Sequence, residues 1–279
     1  MTKDMNMAEL VALIQESGAR IAKALLESRL EEDPRRDPDQ AACRGCEGKL
    51  RIQERSQRRS IMTAIGEIQY QRAYGVCDRC GHSGAPLDEA LGIPAFGPSM
   101  EARQKICHAA AVGRSFEDGR EILKEHGAIA MSAKHVRKLA EEEGQLLADD
   151  RWREVESYQQ RRLSVKSTEA PDILAVTADG GRVQTRNEDA GNRWKEDKIG
   201  VVYDAAPQPQ AHAEPGAYEG AKAQTKTYVA SMENWESFGW MLRLEAERRG
   251  YLKARVKLFL ADGAPHIREL KNLHFPEAV

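Results

Sequence analysis

The sequence predicts a multi-domain α+β protein, and three observations carry that reading. Two Cys-x-x-Cys pairs, "CRGC" at Cys43 to Cys46 and "CDRC" at Cys77 to Cys80, bracket a run of strand-like segments. Three helix-like segments between Pro98 and residue 149 each start at a serine and close on a glycine. Beyond Pro171 the periodicity becomes that of an α/β sheet, in the order strand, strand, strand, helix, strand. A chain of 279 residues has room for about two domains on the usual allowance of roughly 100–200 residues each.

Taken in order, residues 1–42 form an N-terminal amphipathic helix and a charged linker. Leu10, Leu13, Ile14, Ile21, Leu25 and Leu26 recur at helical spacing over residues 7–30. The helix ends at "EEDPRRDPDQ", where Pro34 and Pro38 bar its continuation.

Residues 43–85 read as a zinc-ribbon-like module. Four thiolates in two knuckles, Cys43, Cys46, Cys77 and Cys80, can close a tetrahedral structural zinc site with no open position for catalysis. A redox Cys-x-x-Cys pair and unrelated cysteines are the competing readings. Between the pairs, "KLRIQERS", "RRSIMTA" and "IGEIQYQRAY" read as three strands. Residues 43–82 hold eight Lys or Arg against four acids, an excess that suits phosphate contacts or, more blandly, a solvated strand face. The fifth cysteine, Cys107 in "KICHAAAV", reads as a buried small hydrophobe.

Residues 86–150 read as a helical helix-turn-helix domain. Ser99, Ser115 and Ser132 stand at N-cap positions, and Gly113, Gly127 and Gly144 at the sites of left-handed C-terminal caps. In "GRSFEDGREILKEHGAIAMSAKHVRKLAEEEG" a helix, a turn of small residues and a second helix follow one another. The side chains that would reach base edges in a DNA groove are Ser132, Lys134, His135, Arg137 and Lys138, with "EEE" at 141–143 facing away or forward along the helix. A purely structural three-helix bundle is the alternative.

Residues 151–170 read as a linker entered by a helical tail, and 171–279 as the α/β unit. "ILAVTADGG" and "KLFLADGAP" each end an apolar strand in a carboxylate, Asp179 and Asp262, followed by glycine. On neighbouring strands such a pair can hold divalent cations for phosphoryl transfer, although Asp-Gly also simply ends strands in turns.

These motifs together resemble the bacterial insertion-sequence transposases of the ISKra group. The resemblance runs in order through "CRGC", "CDRC", "PLDEALGI", "SFEDGREIL", "SAKHVRKLAEEEG", "TADGGRVQTR", "WKEDKIGVVYD" and "LADGAPHIREL". It implies a Mutator-like, DDE-type enzyme whose catalytic domain has the RNase H-like fold, here partial over 171–279. It implies Asp179 and Asp262 as the first two catalytic acids, binding Mg2+ or Mn2+, with Trp194, Lys195 and Glu196 near the active site. The partners implied are DNA at transposon ends and target DNA, together with a homo-oligomer, in the bacterial cytoplasm at the nucleoid. The third acid of such enzymes lies on a later helix, and neither Glu269 nor Glu277 replaces it. The chain is therefore expected to be C-terminally truncated, binding DNA without cutting it. The competing function is a zinc-containing DNA-binding regulator or transposition inhibitor derived from such an enzyme.

Composition narrows these readings. With 42 Lys and Arg against 44 Asp and Glu, overall charge selects no partner. No apolar run approaches the roughly 18 residues of a membrane span, so no membrane partner is expected.

Overall fold

The computed structural model describes residues 5–165, 167, 170–185, 194–208 and 220–279. The chain divides into two compact units, residues 1–146 and 147–279. It is mixed α+β, with seven α-helices and two four-stranded sheets among the described residues.

The first unit opens with α1 (Met7–Glu32), started by a capping box in which Asn6 and Glu9 each bond the other's backbone amide. Its antiparallel sheet has the order β1-β2-β3-β4: β1 (Ala41–Ala42), β2 (Lys49–Thr63), β3 (Gly66–Cys77) and β4 (Ser83–Gly84). The expected first two strands are a single strand, β2. Register shifts between Ile52 and Glu54 and between Glu54 and Gln57 absorb the interruption as bulges, so pairing with β3 resumes on the far side. Ile61, Ile68 and Tyr70 pack beneath Leu30 of α1 and Leu87 of α2 (Pro86–Leu91).

Next come α3 (Met100–Val112), α4 (Phe116–His126) and α5 (Ala133–Gln159). Ser99 and Ser115 accept the amides of Ala102 and Asp118, and Ser132 that of His135, as caps should. The glycines behave differently from expectation. Gly113 and Gly127 have negative φ, −70° and −127°. A Cβ at Gly113 would lie 2.9 Å from the Gly119 nitrogen, and one at Gly127 2.9 Å from the Leu123 oxygen, so close backbone approach accounts for both. Gly144 ends nothing, because α5 runs on to Gln159. The strong helix formers around it outweigh a glycine cost of about 1 kcal/mol, and Val155 further along joins the second unit's core. The helical tail expected at the start of the 151–170 linker is the last part of α5, which is continuous with the helix before it; residues 166, 168 and 169 lie outside the described residues. Cys107 is half-buried, and burial pushes its thiol pKa up.

In the second unit the sheet order is β7-β6-β5-β8, from β5 (Ile173–Gln184), β6 (Trp194–Gln208), β7 (Gly220–Ser231) and β8 (Val256–Leu260). β5, β6 and β7 are antiparallel neighbours, whereas β8 runs parallel to β5. One face, with Leu174, Val176, Ala178 and Val202, is covered by α6 (Trp235–Arg248) and α7 (Pro265–His274) through Phe238, Leu242, Ile267 and Leu270. Gly200 permits that fit, since a Cβ there would meet Leu242 at 2.5 Å. Burial pushes His274 down to about 4, which keeps it neutral within this core at pH 7. On the opposite face Ile199, Tyr228 and Leu260 remain substantially exposed. Outside β8, Val279 donates to the Lys257 carbonyl and accepts from the Phe259 amide, both at 3.0 Å, the pattern of a parallel neighbour.

Asp179 is not the end of its strand. Pairing with β8 stops at Thr177, but β5 continues to Gln184 against β6 alone; β7 flanks β6 as far as the Lys198–Ser231 pair, so the two-stranded arm proper runs from Gly181 to Gln184. Gly180 and Gly181 lie within the strand and form no turn.

Candidate metal centre and carboxylate site

The four sulfurs of Cys43, Cys46, Cys77 and Cys80 lie within 4.8 Å of one another. Cys43 and Cys80 are 3.6 Å apart and Cys46 and Cys77 3.5 Å apart. Sulfurs about 2.3 Å from a tetrahedral zinc stand about 3.8 Å apart, so the donor set fits a metal ion such as zinc. Each knuckle closes the same way, with the Glu47 amide on the Cys43 carbonyl and the Gly81 amide on the Cys77 carbonyl. Glu47 and Gly81 share the left-handed conformation this requires, at φ 56° and 74°. The amides of Cys80 and Arg79 draw the Cys77 thiol down while the Cys46 and Cys43 thiols push that of Cys80 up, so the four sulfurs give up their first proton as a set. Cys43 and Cys77 are also buried against Leu50. A metal here would tie β1, β2 and β3 together and contribute to folding, not to catalysis.

The basic excess in this module is smaller at the surface than in the sequence. Arg59 and Arg72 turn inward to Asp88 at 2.5 and 2.8 Å, with side chains about a tenth exposed or less. Tyr70 donates to the same carboxylate at 2.6 Å, and both burial and that acceptor push its phenol up. Arg51 pairs with Asp78 and Arg55 with Asp37. Arg44, Lys49, Arg58 and Arg79 stay exposed.

At the start of α5, Ser132, Lys134, His135, Arg137 and Lys138 are all exposed. The acids that follow do not face away: Glu141 reaches back to Arg137 at 3.6 Å, Glu142 to Lys138 at 3.8 Å, and Glu143 to Arg103 at 3.4 Å. Helical i,i+4 geometry brings those first two pairs within reach, a weak attraction of about 0.2–0.5 kcal/mol each.

The two strand-borne aspartates occupy equivalent places. Thr177 of β5 and Leu260 of β8 are the last paired residues, and Asp179 and Asp262 each follow by two. Both are exposed, and each carboxylate accepts a nearby amide, Gly180 at 2.8 Å and Ala264 at 3.0 Å. Of the "WKE" residues, Glu196 lies against Gly180, where a Cβ would stand 3.3 Å from its Oε1; the register, Asp179 with Ile199 and Arg182 with Glu196, puts it on the opposite face of the sheet from Asp179. Trp194 and Lys195 pair with Gln184 and Val183, further along the arm.

Four other residues that sequence reasoning missed gather around Gly180 and Gly181. Lys198 is buried and pairs with Glu196 at 3.1 Å, holding that carboxyl below the usual range. Lys198 also lies 5.4 Å from the Trp235 ring, against which the His266 ring rests at 4.5 Å, tilted by 42°. A Cβ at Gly180 would stand 3.1 Å from Trp235. Asp197 presses on Gly181 from the other side of the sheet, and its buried Oδ1 has no hydrogen-bond partner. The one signal in the sequence was "EDK" opening an apolar strand, where a lysine must be buried every second residue or exposed, and alternation alone does not decide which.

Fold and site together define a mixed α+β protein with a four-cysteine centre able to hold a metal ion. No helix among the described residues is long and apolar enough to cross a membrane. Residues 1–213 match the model of a family described as Uncharacterised protein family (UPF0236), and the chain belongs to that family. No curated protein matches the chain.

Proposed function

We propose that the chain is a DNA-binding transposase of the insertion-sequence type, with a structural zinc at the four cysteines and an RNase H-like unit bearing Asp179 and Asp262 as metal-binding acids. The observation that carries the reading is the equivalent placing of the two aspartates past the last pair of parallel strands β5 and β8. The sheet supports it: three antiparallel strands, a helix, then a strand parallel to the first and beside it. A bound Mg2+ would supply charge stabilisation and an activated oxygen nucleophile for phosphoryl transfer. Glu277 is no third ligand, because its carboxylate accepts from Tyr251 at 3.3 Å and lies 3.7 Å from Arg243. DNA contact falls to Lys134 and to Arg137 and Lys138, whose own-helix acids would have to be displaced by phosphate.

The test uses the zinc-loaded chain and a linear duplex. The chain is expected to retard the duplex at low salt, with affinity falling steeply as salt rises. Replacing Lys134, Arg137 and Lys138 together by Ala should weaken binding and flatten the salt dependence. Mn2+ uptake, followed by water-proton relaxation, should be lost in Asp179→Asn and Asp262→Asn while DNA retardation persists. A chain that retards no duplex at low salt ends the DNA reading, and Mn2+ uptake indifferent to both substitutions ends the carboxylate reading.

A further inference from the structure

Where β5 and β8 part, the ladder stops holding Asp179 and Asp262 together. The last pair is Thr177 with Leu260, and each aspartate lies two residues beyond it. Asp262 stands in the turn before α7, where its carboxylate accepts the Ala264 amide. Two carboxylates that share a cation need a fixed separation, so something other than strand pairing has to set it.

A line of side chains runs from one stretch to the other beneath the sheet. Gly180 stands opposite Lys198, and Glu196 lies two residues along from Lys198, so both side chains share the face that Ala178 and Val202 give to α6 and α7. The Lys198 side chain is only 4% exposed. Its ammonium lies 3.1 Å from the Glu196 carboxylate and 5.4 Å from the centre of the Trp235 ring. The Trp235 indole bonds the same carboxylate, and its ring meets Phe238 of the core edge-on, with 5.7 Å between centres. One side of Trp235 closes on Gly180, where a Cβ would stand 3.1 Å from the ring. His266, the second residue of α7 and four beyond Asp262, rests against the ring as well.

Two features set this line apart from ordinary core packing. Lys198 puts a buried charge where an apolar side chain would simply extend the core from Gly200 and Val202, and burying a charge is costly unless it is paired. His266 is exposed, so its place against Trp235 buries little of its own surface.

We propose that Lys198, Trp235 and His266 are positioning residues, a strut under Gly180 that fixes the separation of Asp179 and Asp262. The inference rests on the reading of those aspartates as metal-binding acids and adds the residues that hold them in place. Lys198 ties Trp235 to β6, Trp235 supports β5 at Gly180, and His266 ties the same ring to the turn that carries Asp262. The strut acts through the backbone and needs no contact with the cation.

The test is the Mn2+ dissociation constant of the full zinc-loaded chain, from water-proton relaxation, measured beside its thermal melting. His266→Ala should weaken Mn2+ binding about tenfold or more, the usual effect of losing a residue that orients metal ligands. Melting should not change, because the side chain is exposed. His266→Phe restores a ring against Trp235 but brings no nitrogen that could bind a metal, and it should take up Mn2+ nearly as wild type does. Lys198→Met keeps a long side chain without its charge and should weaken binding as His266→Ala does; if it also melts early, the His266 pair decides. Wild-type affinity in His266→Ala overturns the strut and leaves the metal reading standing. Equal losses in His266→Ala and His266→Phe overturn it too, since His266 would then act through its nitrogens as a ligand. Wild type that takes up no Mn2+, or takes it up regardless of Asp179→Asn and Asp262→Asn, ends the metal reading and the strut with it.

Discussion

Cys43→Ser should cost the chain its bound metal and the order of the first sheet, while Cys107→Ser should change neither. The four-cysteine module has little else to hold it: its buried cluster consists of Cys43, Leu50 and Cys77, with Ala41, Cys46 and Ile52 partly buried around them. Zinc bound by such a set contributes on the order of 10–16 kcal/mol at neutral pH in small finger peptides, far more than burial of one leucine at about 1.5–3 kcal/mol. Losing one sulfur of four should therefore release the ion and let β1 and the lower half of β2 open. Metal analysis should give about one zinc per chain for wild type and far less for Cys43→Ser. Limited proteolysis should then cut between residues 40 and 60 in the variant and spare them in wild type. Equal protection of the metal-free and metal-loaded chains would show that the thiols hold no structural ion.

The second large effect lies at Asp88. One carboxylate serves Arg59, Arg72 and Tyr70, and all four side chains are nearly or fully buried. Asp88→Ala would leave two guanidinium groups facing each other without a counter-charge, and removal of one partner from a buried ion pair costs about 3–5 kcal/mol. Urea unfolding should show the first unit's midpoint sharply lowered. Asp37→Ala removes the partner of Arg55 in an exposed pair and should cost no more than about 1 kcal/mol. Replacing the whole set, Asp88→Leu with Arg59→Met and Arg72→Met, should recover much of the loss, because burying the charges is itself costly. If Asp88→Ala is as mild as Asp37→Ala, the cluster is hydrated and its burial is not what holds α2 to the sheet.

Some of this was legible in the residues alone. Cysteine spacing exposes a four-sulfur site because two knuckles with matching turns have few other uses, and serine caps declare helix starts because the bonding is local. Alternating apolar runs gave the order of strands and helix beyond Pro171 for the same reason. What failed depended on how the folded backbone and side chains pack, in some cases between residues far apart in sequence. A basic count over residues 43–82 cannot reveal that Arg59 and Arg72 are absorbed by an acid in "PLDEA". Glycines at 113, 127 and 144 look alike in sequence, yet two are required by backbone pressed against them and the third is tolerated inside a long helix. Lys198, Trp235 and His266 come together only when β6, α6 and α7 have assembled.

The unequal lengths of β5 and β8 divide one strand into two regimes of solvent contact. From Ile173 to Thr177 the backbone is bonded on both edges, whereas from Ala178 to Gln184 only β6 lies alongside among the described residues. Successive amides of a strand point to opposite edges. Every second amide in the outer stretch should therefore trade its hydrogen for deuterium far sooner than its neighbours. Gly180 should be the exception, because its amide is held by the Asp179 carboxylate. The exchange rate of that one hydrogen thus reports whether the aspartate is still free to hold it, and it should rise when a cation takes the carboxylate instead.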